Sequence, residues 1–311
     1  MAQMTTASFQ KSLWPGVNKW FGMGYEAEAT EYTQIFSVES SNKKFEQDVS
    51  MAGLGLFEVK PEGENITYDA ANQGFIHQFN HVVYSSGLII TREAFEDNQY
   101  NIDVFKPRSM ELGFAARTTM ETIAANVLNR GFNTSYTMGT SSDGLPLFSA
   151  SHVPGGPGTA VQSNLSTAGD LSELVLETMV VNIAQALDSR GKHIKLMPNQ
   201  LVIPPALMFD AERILGSTQQ SGTANNDINV LKSKSWFPGG IVVNHYLTDT
   251  DAFFITTSLN RSGNGLVWYN RRGLEFGADN EFDTESAKYK ATFRVSAGWR
   301  DFRSAWGNQG V

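Results

Sequence analysis

PRSMELGFAARTTMETIAANVLNR, residues 107–130, is the stretch around which the rest of the chain is placed. Pro107 suits a first helical position, where its missing N–H is no loss. Leu112, Ala116, Met120, Ile123 and Val127 follow at intervals of four, four, three and four, which traces one face of an α-helix. Arg117, Thr118, Glu121 and Asn129 fall on the other side. Gly131 ends the run, as a glycine free to take a left-handed conformation does. At about 1.5 Å per residue such a helix is about 36 Å long, a beam across a whole domain.

Upstream of the beam, residues 53–91 read as a long two-stranded excursion. Its first arm is expected at residues 54–60, ended by Pro61 and Gly63. The return arm alternates: Phe75, His77, Phe79, His81 and Val83 share one face, and Ile76, Gln78, Asn80, Val82 and Tyr84 the other. A two-stranded ribbon is marginal alone in water, so it has to lie on its own body or on another subunit. Before it, residues 1–45 show no sustained period. Trp14, Trp20 and Phe21 sit there among Gly16, Gly22 and Gly24, and the segment reads either as an arm packed on its own domain or as one reaching a neighbour.

Downstream, residues 139–169 form a Gly/Ser/Thr/Pro-rich linker. A second helix is expected to open at Asp170, with Glu173 completing a capping box, and to run through Leu176, Val180, Ile183 and Leu187 to Gly191. Leu201, Val202 and Ile203 read as a short buried strand, broken by Pro204 and Pro205, which start a helix carrying Leu207, Met208, Ala211 and Leu215 and ended by Gly216. A polar loop over residues 217–229 precedes strands at 241–243, 252–257 and 266–269. The last strand is the plainest. Tyr289, Ala291, Phe293, Val295, Ala297 and Trp299 alternate with Lys288, Lys290, Thr292, Arg294, Ser296 and Arg300, as in a sheet covered on one side.

Composition narrows the function. With 41% hydrophobic residues in 311, a sizeable core is within reach, yet only 18% are charged, and a polar but uncharged surface suits protein contacts. The net charge of −8 and the lack of a basic stripe argue against a chain built to grip phosphates, the longest basic concentration being the spread of Lys288, Lys290, Arg294, Arg300 and Arg303. The absence of cysteine removes disulfides, thiol nucleophiles and cysteine-based zinc sites together. No cofactor is expected. Residues 1–10 carry no apolar run of signal-peptide type, and no stretch approaches the roughly 20 apolar residues of a membrane span.

Catalytic patterns are equally thin. His77 and His81 stand four apart, but in a strand, and read as ribbon surface residues rather than metal ligands. His152 lies near Ser149 and Ser151, yet a nucleophile needs a base that a third group orients. Gly53 and Gly55 are a fragment of a dinucleotide-binding glycine pattern with no third glycine. Glu62 with Glu64, and Asp279 with Glu281, sit in turn-like contexts and read as solvated charges. The expectation is a protein without catalytic or metal residues.

An arm, a long ribbon, a long helix, a mixed domain and a final strand back to the core is an order that resembles the phage capsid proteins of the Hong Kong 97 fold, an α+β architecture. Locally the chain is similar to Mu-type major head subunits, in DGLPLFSASH (residues 143–152), PNQLVIPP (residues 198–205) with its helix, and RVSAGWRDFR (residues 294–303). The resemblance implies an N-terminal arm over residues 1–45, an extended loop over 46–100, and a peripheral domain over 101–191 with residues 107–130 as its spine helix. It implies an axial domain over 192–280 and a returning strand over 281–311. It implies a major capsid protein that assembles with itself, as hexamers and pentamers, into an icosahedral shell around double-stranded DNA. The virion would be assembled in the host bacterial cytoplasm, with a separate scaffolding protein, a portal and decoration proteins as partners and no membrane. The nearest alternative is an encapsulin-type compartment, and a more distant one an unrecognised hydrolase or binding module. Trp14, Trp20, Phe21, Lys60, Glu62, Glu64 and Phe75 are the candidate inter-subunit contacts. Arg117, Arg130, Lys288, Lys290 and Arg294 are the candidate inner-surface charges for weak contact with packaged DNA. The prototype of this fold joins a ribbon lysine to a neighbour's asparagine. Lys60, the only lysine between Phe45 and Tyr100, reads better as a solvated turn charge.

Overall fold

A computed structural model describes residues 18–70, 72–91, 105–135, 139–140, 143–154, 161–219, 228–281, 283–284 and 286–311. Residues 18–25 (α1) and Tyr32–Ile35 (α2) are helical, and Phe105–Asn129 (α3) is the expected long helix, begun one residue pair earlier than Pro107. Leu112, Ala116, Met120, Ile123 and Val127 are all buried, as their spacing requires. The polar side of the helix is covered as well: Glu121 is buried, and so is Arg117, which corrects its reading as an inner-surface charge. The Arg117 guanidinium stacks 3.8 Å above the Tyr25 ring and donates to the Tyr25 carbonyl. Glu121 accepts the backbone N–H groups of Glu31 and Tyr32 at 3.0 and 2.9 Å, at the start of α2. Burial pushes its carboxyl above the ordinary range, against the pull of those two bonds.

Two glycines let α1 approach α3 this closely. A Cβ on Gly24 would stand 2.0 Å from the Met110 carbonyl oxygen, and one on Gly113 would stand 2.3 Å from that of Phe21. Gly24→Ala is therefore expected to lower stability by about 1–3 kcal/mol through overpacking against rigid backbone. Gly22→Ala, where a Cβ meets nothing within 4 Å, should change it by no more than about 0.5 kcal/mol. Urea unfolding of the two unassembled variants checks this, and equal losses would show that the close approach is not what glycine serves.

The strands are Ser37–Ser40 (β1), Phe45–Ala52 (β2), Asn72–Asn80 (β3), Val82–Ile90 (β4) and Gly139–Thr140 (β5). After helix Glu173–Ala184 (α4) come Pro198–Ile203 (β6), helix Met208–Gly216 (α5), Ile241–Val243 (β7), Phe253–Thr257 (β8), Leu266–Asn280 (β9), Ala287–Trp299 (β10) and Ala305–Asn308 (β11). They make three sheets, ordered β1-β9-β10-β4, β11-β8-β6-β7 and β2-β3-β5. The ribbon is real, but its first arm is not residues 54–60. β2 pairs with β3 from Phe45↔Asn80 to Ala52↔Asn72, so pairing ends where Gly53 begins, and 54–60 has no strand to face.

Two further boundaries differ. The cap of α4 is Ser172, whose hydroxyl accepts the Val175 N–H, not Asp170, and the helix stops at Ala184 rather than Gly191. β9 extends to Asn280, well past the expected 266–269. Its second half, RRGLEFGADN, has weak alternation and is held by register against β10.

The period of two in β6 and β8 explains how two cores share one sheet. Val202 and Phe254 point into a core with α3, Trp268, Phe293 and Trp299. Leu201, Ile203, Phe253 and Ile255 point the other way, into a second core with Leu176, Met179 and Ile183 of α4, Ala211 of α5, and Trp306. β10 serves the first core. Its far end is covered on both faces, since Ser296 and Gly298 are buried too, a correction to the one-sided reading of that strand. Among the described residues, no helix is long and apolar enough to cross a membrane.

Candidate assembly interface

Residues 53–70 leave the end of the ribbon and return to it without regular structure, apart from a turn after Pro61 in which Gly63 takes positive φ. They are apolar and uncovered. Phe57 is 98% exposed, Val59 94%, Tyr68 91% and Leu56 80%, with Ile66 also outside. Burying one such side chain stabilises by about 1.5–3 kcal/mol, so five left in water are a surface awaiting a cover. The expected contacts Lys60, Glu62 and Glu64 lie on this loop and are exposed. The apolar residues beside them are its larger asset and were passed over, because residues 54–60 read as a paired strand.

The root of the loop is clamped although its tip is free. Arg190 donates to the Gly53 carbonyl at 3.1 Å and pairs with Asp69, and Lys192 donates to the Leu54 carbonyl at 2.6 Å. Asp69 accepts the Gly55 N–H at 2.6 Å. That bond, with the Arg190 pair, holds the Asp69 carboxyl below the usual carboxylate range. Asp188 braces both basic residues by accepting their backbone N–H groups at 2.7 and 2.9 Å.

A second clamp ties the ribbon to the body. Arg300, just past β10, gives both Nη atoms to Glu39 of β1 at 2.8 and 2.6 Å and its Nε to Asp48 of β2 at 2.7 Å. It also donates to the Tyr269 hydroxyl and to the Gly263 carbonyl, both at 2.6 Å. Burial works against the Arg300 charge, but the bonds to Glu39 and Tyr269 overcome it and hold the guanidinium above its ordinary range. Neither clamp is visible as a motif, because its members come from distant parts of the chain.

The remaining candidates divide. Trp14 lies outside the described residues, and Trp20 is partly covered. Phe21 is corrected from neighbour contact to internal packing: it is buried against Phe276, with ring centroids 4.7 Å apart. Phe75 faces inward as well, lining a small cavity of about 40 Å³ with Ser50, His77, Asp143 and Arg300. Of the inner-surface charges, Arg117 is buried as described, Lys288 pairs with Glu281, and Arg294 donates to the His81 carbonyl. Arg130 and Lys290 are exposed.

Of the histidines considered for chemistry, His152 is held as a structural group, while the buried Nδ1 of His77 has no hydrogen-bond partner among the described residues. His152, fully buried, has Nδ1 2.8 Å from Asp143 and Nε2 3.1 Å from the Leu147 carbonyl, and it stacks on Phe302. Ser149 and Ser151 bond to each other instead. Among the described residues, no group of three or more His, Asp or Glu is placed to hold a metal ion.

A family model described as phage capsid protein matches residues 80–308, from the root of the ribbon through β11. The chain belongs to the phage capsid protein family. Three solved structures show the same mixed helix-and-sheet fold as this capsid protein. The Mycobacterium phage Patience structure superposes with a TM-score of 0.57 at 13% identity, covering 96% of this chain and 88% of that one. The capsid of cyanophage P-SCSP1u gives 0.56 at 14% identity, covering 91% and 89%. A virus-like particle from Pyrococcus furiosus gives 0.51 at 10% identity, covering 94% and 98%. No curated protein matches the sequence. The fold is of the Hong Kong 97 type, and the capsid protein is a shell component of a phage.

Proposed function

We propose that this capsid protein is the repeating subunit of an icosahedral head, assembled as hexamers and pentamers around double-stranded DNA in the host cytoplasm. The observation that carries the reading is the 53–70 loop, apolar at its tip and clamped at its root. Such a loop is preorganised to cover, and be covered by, a neighbouring copy, because the entropy of fixing its base is lost on folding rather than on assembly. In this reading α3 with β9 and β10 forms the peripheral body. α4, α5 and the sheet β11-β8-β6-β7 form the part nearest the symmetry axes. Scaffolding, portal and decoration proteins are further partners, and an encapsulin-like shell is the second reading, favoured by the Pyrococcus particle at a lower TM-score than the phage structures.

The net charge of −8 bears on the genome. Contact with DNA is expected to be weak and carried by exposed cations such as Lys290 and Arg130, since the other candidates are already engaged within the chain. Electron microscopy of the purified protein tests the proposal. Shells or capsomers are expected, with duplex DNA bound only at low salt, because phosphate contacts weaken steeply as salt rises. A monomer that stays single at high concentration would end the shell reading. Tight, salt-insensitive DNA binding would move the chain towards a nucleic-acid-binding role.

A further inference from the structure

His81 is the single residue between β3 and β4, where the chain passes from the ribbon into the main sheet. It is buried, and three separate elements close on its ring. Nε2 lies 3.1 Å from the Ser41 hydroxyl, in the link between β1 and β2. Nδ1 lies 2.9 Å from the hydroxyl of Ser296, a fully buried residue of β10. The Tyr269 ring of β9 stands edge-on, with centroids 6.2 Å apart.

The bonds have a direction. The one proton of the Ser41 hydroxyl goes to Glu46 at 2.7 Å, so Ser41 can only accept from His81, and Nε2 carries the ring hydrogen. Nδ1 is then the acceptor, and Ser296 donates to it. Both ring nitrogens are then engaged, and the pattern is that of a neutral ring. A second proton on Nδ1 would turn the Ser296 hydroxyl from donor to acceptor and put a full charge on a buried ring whose hydrogen-bond partners are hydroxyls and not carboxylates.

We propose that His81 is a pH-sensitive latch at the root of the ribbon, closed while the imidazole is neutral and released when it is protonated. The proposal rests on the ribbon and its loop being the assembly element described above. The charged groups facing the ring are known from each side. Arg294 of β10 and Arg271 of β9 oppose an imidazolium, and Glu46, itself paired with Lys43, favours it. Burial, then Arg294, push the His81 pKa below its ordinary value, more than Glu46 restores. The folded state thus prefers the neutral ring. The latch is fully closed above the ordinary histidine pKa of about 6.5 and weakens as pH falls from there through the folded value. Glu46 stays charged across this window: burial raises its carboxyl, but Lys43 and Ser41 hold it below the usual range. His77, on the same face of β3, meets Asp143, Asp301, Asp48 and His152 instead. Burial nonetheless holds the His77 pKa below its ordinary value against those three carboxylates, so its protonation also weakens the ribbon, and His77→Gln is the control that separates the two.

The test uses the full-length protein before assembly. Amide hydrogen exchange over β2 and β3, corrected for intrinsic rates, is compared with α3 between about pH 7.5 and about pH 5. Protection of the ribbon is expected to fall by up to about tenfold per pH unit between about pH 6.5 and the His81 midpoint and to level off below it, while α3 holds. His81→Gln, which keeps a donor towards Ser41 and an acceptor for Ser296, should remove the His81 part of the change, and adding His77→Gln should remove the rest. Ser296→Ala, which removes the donor to Nδ1, should shift it to higher pH. Imidazole NMR on the wild type, with the His81 signal assigned through its ring contacts to Ser41 and Ser296, should give a midpoint below that of free histidine, whether or not the variants fold. Unchanged ribbon protection down to pH 5, equal loss in H81Q, or an ordinary His81 midpoint would overturn the latch. If the ribbon opens with His81 but shells form equally well at either pH, the latch stands and the assembly role of the ribbon is what fails.

Discussion

Replacing residues 56–68 with a four-residue Gly-Ser linker is expected to leave a folded subunit that forms no shells. The linker closes easily, because the Gly55 N–H and the Asp69 carboxylate are already 2.6 Å apart. Nothing in either core is touched, so unfolding free energy should move by no more than about 0.5 kcal/mol. Assembly, by contrast, loses the apolar cover that Leu56, Phe57, Val59, Ile66 and Tyr68 would give a neighbour. Even Phe57→Ser alone should weaken each contact by about 2 kcal/mol, roughly thirtyfold in its equilibrium constant. Sedimentation and negative-stain microscopy at matched concentration read the result. Normal shells from the linker variant would show that the loop is not an assembly element.

Arg300→Met is expected to unfold the root of the ribbon and to lower overall stability by about 2–3 kcal/mol. Removing one partner of a buried ion pair typically costs about 3–5 kcal/mol, because the other charges stay behind unpaired. The figure is lower here because the Glu39 and Asp48 side chains are more than a third exposed and water screens part of the loss. Arg300→Lys keeps the charge but not the fork that meets both Glu39 oxygens, and should recover less than half of the loss. Adding Glu39→Gln and Asp48→Asn to Arg300→Met should recover part of it, since the uncompensated charges are then gone. Urea unfolding of the four proteins decides. A loss below about 0.5 kcal/mol for Arg300→Met would mean that the cluster is a solvated surface pair.

The elements with strong local signals were legible. Leu112 to Val127 announced α3, Leu201 to Ile203 announced β6, and the alternation from Tyr289 to Trp299 announced β10, because a period of 3.6 or 2 is a property of the chain itself. The arm at 54–60 misled for the same reason in reverse. LGLFEV has strand-like residues, but a strand exists only if another pairs with it, and β3 was already taken by residues 45–52. The helix stop at Gly191 failed because the turn carrying Asp188 and Lys192 starts earlier, to hold the loop root.

Hydrophobic periodicity by itself thus determined the long helix, the buried strands and the order of elements on which the resemblance to phage capsid proteins rested, and the family match over residues 80–308 made the assignment. Tertiary structure alone decided the fate of the polar residues. Glu121 and Arg117 are covered by a segment some ninety positions away in sequence, and His81 is locked by Ser41 and Ser296, 40 and 215 positions away. The physical reason is that burial of an apolar side chain is favourable against any apolar neighbour and so shows in local pattern. Burial of a polar one is tolerated only where a specific partner arrives with the right donor or acceptor, and that depends on the whole fold.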